Sequence, residues 1–211
     1  MIKRLIWLML VILPLALMFG CDKKFGKIDQ GRVIAFDSEK KTVTIIKDAK
    51  EDPKAPDYTT LPPHTYKLPP LERAMGPAPK AGKRMKLDTK KNEIIIFDDV
   101  TQDFKTISYK LIDQKENIEK KNPLVYDEAA DKAKKFPVVD REKKTITVYS
   151  GRQKILTTFT LPDEYFARPD STWDNGDEVR IYSKFGDEAK LGVEGKAWKF
   201  MNISKTDIYK K

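Results

Sequence analysis

Cysteine and histidine are almost missing from this chain, with Cys21 and His64 the sole examples in 211 residues. A lone cysteine forms no intramolecular disulfide and no cysteine-based metal cluster. A lone histidine has no second imidazole with which to share a metal, and His64, between Pro63 and Thr65, has no evident partner for general-base work. Glycine-rich phosphate loops, G-x-S-x-G elbows and H-E-x-x-H helices are absent too, so no catalytic residue, metal ligand or cofactor is assigned. Helical periodicity is equally scarce. One stretch, YDEAADKAKKF at 126–136, has the Ala, Glu and Lys content of a helix of two to three turns. Only one long apolar run exists, residues 5–19. As a helix it reaches about 22 Å, short of the roughly 30 Å of bilayer hydrocarbon, and Pro14 interrupts it.

Lys3 and Arg4 precede that run, which makes residues 1–20 a secretory signal with a basic start and an apolar centre. The run ends in Met18-Phe19-Gly20-Cys21, which resembles the box at which bacterial lipoprotein precursors are lipidated and cleaved. Gly20 and Cys21 fit that box; Met18 and Phe19 are looser. The resemblance implies a Cys21 that carries two or more acyl chains, enough for stable anchoring, with residues 21–27 as the tether. An uncleaved anchor is the alternative. Asp22 matches the residue that favours inner-membrane retention in enteric lipoproteins. Either way the remainder faces the periplasm. Loss of Lys3 and Arg4 lowers the net charge from +9 to about +7. In an exported chain that excess suits an anionic membrane surface, not nucleic acid.

What is abundant is β pattern. GRVIAF, TVTIIK, NEIIIF, TITVYS, KILTTFTL, DEVRIYS and AWKFMNI alternate or form short β-branched runs. DSEKKTVTI at 37–45 returns as DREKKTITV at 140–148, and LDTKKNEIIIF around Asp88 is a third variant, each with an aspartate positioned to start a tight turn. Three further pairs follow the first in the same order: TYKLPP and TFTLPD, GKRMKL and GDEVRI, KENI and KTDI. Ordered marks favour a duplication. The expected architecture is all-β, with two tandem small β-barrels of SH3-like or OB-like type. They span residues 28–121 and 133–211, with a linker at 122–132 that includes the start of the short helix. A single larger sandwich is the alternative.

Eight of thirteen prolines fall within residues 53–79. Proline cannot donate to a strand ladder, so this segment reads as an ordered loop or as a stiff surface that docks an envelope protein partner at low entropic cost. Pro62, Pro63, His64, Tyr66, Pro69 and Pro70 are the candidate contact residues there. Trp173, in the polar loop STWDNGD, is a seventh, while Trp198 and Phe200 read as core. The acidic run of Asp98, Asp99 and Asp103 lacks the ligand order of a calcium loop and reads as an exposed turn.

Six segments, GRVIAFDSEKKTVTIIKD, LPPHTYKLP, MGPAPKAGKRMKLD, KKFPVVDREKKTITVYS, TWDNGDEVRIYS and KFMNISKTDIYKK, together resemble an uncharacterised family of envelope lipoproteins from sulfate-reducing and related Gram-negative bacteria. The resemblance implies an envelope address and no particular activity. The expected function is a membrane-anchored, periplasm-facing binding or accessory module for an envelope protein. The alternative is an envelope enzyme or a carrier of sugars or small anions.

Overall fold

The computed structural model describes residues 26–50, 56–184 and 195–206. The signal segment, Cys21, Asp22 and Pro53 lie outside them. The strands in chain order are β1 (Gly26–Asp37), β2 (Thr42–Lys47), β3 (His64–Lys67), β4 (Arg84–Asp88), β5 (Glu93–Asp98), β6 (Asp103–Ser108) and β7 (Lys110–Lys115). After them come β8 (Tyr126–Asp127), β9 (Lys132–Ala133), β10 (Val138–Asp140), β11 (Thr145–Ser150), β12 (Ile155–Thr160), β13 (Glu178–Lys184) and β14 (Ala197–Asn202). The described residues contain no α-helix, only short 3-10 turns. The protein is all-β.

The tight turns explain much of this. Asp37 Oδ1 accepts the N–H groups of Glu39 and Lys40 at 3.0 and 2.8 Å, and Lys41 takes a left-handed φ of 51° before β2 resumes. Asp88 repeats the geometry with Lys90, Lys91 and Asn92, and Asp140 repeats it with Glu142, Lys143 and Lys144. A carboxylate that satisfies two turn amides is a local device, and any hairpin can adopt it. The same device overrules the helix expected at 126–136. Asp127 Oδ1 accepts Ala130 N–H, Asp131 turns left-handed, and β8 pairs with β9. Residues 128–135 are exposed, so a helix there would have had no face to bury.

A five-stranded sheet has the order β14-β13-β1-β2-β3. It encloses Val33, Ile45, Tyr66, Val179, Ile181 and Phe200. β3 meets the start of β14 through one parallel bridge, Lys67 with Lys196, and the Lys67 N–H donates to the Gly195 carbonyl at 3.1 Å. Pro62-Pro63 and Pro69-Pro70 bracket β3 and cannot extend a ladder. The sheet therefore stays open, where a closed barrel was expected.

The second unit is built from two sheets, β4-β5-β6 and β10-β11-β12-β7. Tyr109 alone separates β6 from β7, so the chain passes directly from one sheet to the other. Ile94, Ile96 and Ile107 face Ile146, Val148 and Phe159 across a common core, and Phe166 and Trp173 come in from the 3-10 turns Asp163–Ala167 and Asp170–Thr172.

These units are nested, whereas the sequence pattern suggested tandem ones. β1 pairs with β13 and β7 with β12, each across the expected boundary. The first two pairs of marks take like places in the meanders β1-β2-β3 and β10-β11-β12, whereas GKRMKL leads into β4 of the three-stranded sheet and GDEVRI into β13 of the five-stranded one; KTDI lies partly outside the described residues. The junction is a knot of main chain: Gly82 N–H donates to Val33 O at 3.0 Å, Val33 N–H to Asp177 O at 2.9 Å, and Asp177 N–H to Lys80 O at 2.8 Å. A Cβ on Gly82 would lie 2.4 Å from Asp174 O, and one on Gly176 would lie 1.8 Å from Val33 O. Only glycine allows backbones so close. A third cluster, Ile34, Ile46, Tyr58, Met85 and Phe97, packs the outer face of β1 and β2 against β4 and β5. At about 1.5–3 kcal/mol for each buried side chain, this cluster holds the units in one arrangement.

Candidate functional site

Between the two units lies a cavity of about 700 Å³ lined by Arg32, Tyr58, Arg84, Met85, Phe104 and Tyr149, among others. Each arginine reaches it beside a glycine that brings backbones together. Gly31, whose Cβ would lie 2.3 Å from Ile46 O, precedes Arg32 on β1; Gly82 lies two residues before Arg84 at the start of β4. Arg32 bridges the units, with Nη1 donating to the carbonyls of Met85 and Arg84 at 2.6 and 3.2 Å. Tyr58 covers its guanidinium, 4.0 Å from carbon to ring centroid. Asp48 positions that tyrosine: its Oδ1 accepts Asp57 N–H at 2.7 Å, and Ala49 N–H donates to Asp57 O at 2.8 Å.

Arg84 is buried, 8 % exposed, with Nε donating to Trp173 O and Nη2 to Asn175 Oδ1, both at 2.9 Å. Among the described residues no carboxylate stands within ion-pair distance of either Arg32 or Arg84. Burial, and then the like charge of Arg32, push the Arg84 guanidinium down to about 10, so it stays protonated at neutral pH. Burial also lowers Arg32. Two polar atoms facing this region, Arg32 Nε and the Tyr58 hydroxyl, are buried without a hydrogen bond of proper geometry. Burial raises the Tyr58 phenol, keeping it a neutral donor.

The acids near this site, Asp57 of its lining, Asp48 and Glu178, make their shortest bonds to groups other than the two arginines. Glu178 accepts from Gln30 Nε2 at 2.7 Å, and Gln30 also reaches Asp48 at 3.4 Å. Desolvation raises Glu178, outweighing the downward pull of the Tyr58 hydroxyl and of Arg32. The mouth adds Arg152 and Lys86. Such a site, with two guanidiniums that no carboxylate touches directly and with apolar walls, suits an anion with an apolar body. Among the described residues no group of His, Cys, Asp and Glu could hold a metal.

A family model described as a domain of unknown function, DUF4881, matches residues 24–211. The chain belongs to that family. No curated protein and no solved structure matches it.

The residues singled out from sequence lie elsewhere. His64 and Tyr66 are on edge strand β3, and Tyr66 is buried with its hydroxyl on Asp29 Oδ2 at 2.8 Å. Pro62 and Pro70 are exposed, Pro63 is partly buried and Pro69 is buried. The loop that follows β3 is woven into the fold, with Asn202 Nδ2 donating to Pro77 O and Met75 bridging Phe200. Trp173, expected at the surface, is fully buried against Tyr165, because the 3-10 turns carry its loop over the core. Trp198 goes the other way. A register shift opposite Tyr182 and Ser183 turns it outward to 50 % exposure while Phe200 stays in the core. The acidic run forms the β5–β6 turn, where Asp98 binds Arg168 at 2.8 Å and Asp99 binds Lys83 at 2.5 Å.

Sequence reasoning missed Arg32, Tyr58 and Arg84. The available signal was a glycine shortly before an arginine, in GRV within β1 and in GKRM at the start of β4.

Proposed function

We propose that this protein is an envelope-anchored, periplasm-facing binding module whose ligand is a small organic anion with an apolar body, seated between the two β units. The observation that carries this reading is the pair of guanidiniums in one cavity with no carboxylate at ion-pair distance among the described residues. Buried charges are normally paired, and two guanidiniums on which Glu178 and Asp174 act only from beyond ion-pair distance leave a place for an incoming anion. Attachment through lipidated Cys21, with Asp22 favouring the inner membrane, supplies the address. The order β14-β13-β1-β2-β3, with a parallel bridge at its edges, supports an OB-like reading of the first unit.

Phenyl phosphate and octanoate, against benzyl alcohol and octanol, test the ligand class by calorimetry on the full chain. The anions bind and the alcohols do not. Arg84→Met keeps the side-chain volume and removes the charge, which costs about 2 kcal/mol of binding or more, roughly a 30-fold loss. Equal binding of the alcohols, or an unaffected Arg84→Met variant, refutes the reading.

A second reading rests on exposed Pro62, Pro70 and Leu71, the last 54 % exposed, which give the proline-rich loop an outward apolar edge for an envelope protein partner. Recovery of the same partner by a Pro62→Ala, Pro70→Ala, Leu71→Ser triple variant would refute it.

A further inference from the structure

At the far end of the five-stranded sheet, where β1 begins, an aromatic and aliphatic cluster faces outward. Ile28 and Tyr182 are cross-strand partners and therefore share one face. The register shift in β14 brings Trp198 onto that face beside Tyr182, with ring centroids 5.5 Å apart. Ile28 and Trp198 are each half exposed. Lys196 and Lys199 flank Trp198 and are exposed, and Lys199 Nζ stands 5.3 Å from the Tyr182 ring.

Two facts name the occupant. First, the sequence before this face is the membrane-directed one: Cys21 is five residues from Gly26, so an acyl chain on it lies at most about 18 Å along the chain from the strand. Gly26 itself is beside Trp198, where an added Cβ would sit 3.5 Å from the indole Nε1. Second, tryptophan and tyrosine interleaved with lysine is the composition that settles at the headgroup level of a bilayer, with the lysines toward anionic lipid.

We infer that the Ile28–Tyr182–Trp198 face lies on the membrane surface as a second contact with anionic phospholipid, and so fixes which end of the five-stranded sheet meets the bilayer. The inference rests on the N-terminal anchor reading and adds a specific surface to it. In a flexible tether without this contact, the body would tumble above the bilayer. With it, one face is fixed.

The test uses the full lipidated chain reconstituted into vesicles of phosphatidylcholine and phosphatidylglycerol, with and without brominated acyl chains. The wild type is compared with Trp198→Phe, so that subtraction isolates the Trp198 emission from that of buried Trp173. The expected result is loss of most of the Trp198 component in brominated vesicles, reduced loss in Lys199→Glu, and recovery of emission at high salt. Co-flotation with vesicles but a Trp198 component indifferent to bromine overturns the surface contact and leaves the anchor standing. Absence of co-flotation overturns both. If Trp198→Phe does not fold, as judged by its urea midpoint, Lys199→Glu gives the same answer: its emission must be quenched less than wild type, and equal quenching overturns the contact.

Discussion

Replacing Gly176 with alanine perturbs the point at which the second unit leaves the first. The new methyl would fall 1.8 Å from the Val33 carbonyl oxygen and 2.9 Å from its carbon, atoms of backbone that cannot rotate aside. To accommodate it the strands must part by more than an ångström. That breaks the bonds from Gly82 N–H to Val33 O and from Val33 N–H to Asp177 O, now 3.0 and 2.9 Å. At about 0.5–1.5 kcal/mol each, plus the penalty of leaving buried backbone groups unsatisfied, the loss is about 3–5 kcal/mol. Against a total stability of roughly 5–15 kcal/mol this is a severe change. Urea unfolding followed by tryptophan emission, to which buried Trp173 contributes, measures it. Gly151→Ala is the control, since its nearest neighbour to a new Cβ is the Tyr149 ring at 3.6 Å, an ordinary contact. A Gly176→Ala variant that loses less than about 1 kcal/mol would refute the nested junction.

The turn chemistry and the acid limb give two more expectations. Lys144 and Lys41 sit at φ 54° and 51°, so Lys144→Gly and Lys41→Gly each stabilise by about 0.5–1 kcal/mol, while Asn92→Gly, at φ 56°, changes little because asparagine tolerates that region; thermal melts decide. Asp98, held by Arg168 and by the Val100 N–H, ionises below the usual carboxylate range. A carboxyl depressed in the folded state stabilises above its unfolded pKa of about 3.9, and the contribution is lost as pH falls through the folded value. Asp98→Asn therefore costs about 1–2 kcal/mol at pH 7 and flattens the decline in urea midpoint between about pH 5 and 3. An unchanged acid limb would refute that role.

The β character of the chain was legible because alternation is a local property: TITVYS and ILTTFT bury every second residue where the pattern places them. Asp37, Asp88 and Asp140 were legible as turn formers for the same reason, since their bonds span only two or three residues. The alternation of Trp198 and Phe200 misled because a one-residue register shift in β14, invisible in the pattern, moves Trp198 to the other face. The candidate site was not legible at all. Arg32 and Arg84 are 52 residues apart and meet through hydrogen bonds to backbone carbonyls, which carry no side-chain signature.

By itself, then, the sequence determined the strands, their turns and the apolar start, all set by interactions within a few residues. Which strand lies beside which was decided only in the folded molecule. DREKKTITV and DSEKKTVTI open matching three-strand meanders, yet β1 also pairs with β13 and β12 with β7, across the boundary that the repeat suggested. GKRMKL and GDEVRI look like equivalent openings of two domains, yet Gly82 and Gly176 stand side by side at one junction. Long-range pairing depends on backbone approach and on the burial of whole faces, both sums over residues far apart in the chain. The cavity with its two arginines exists only where those sums place β1 against β4.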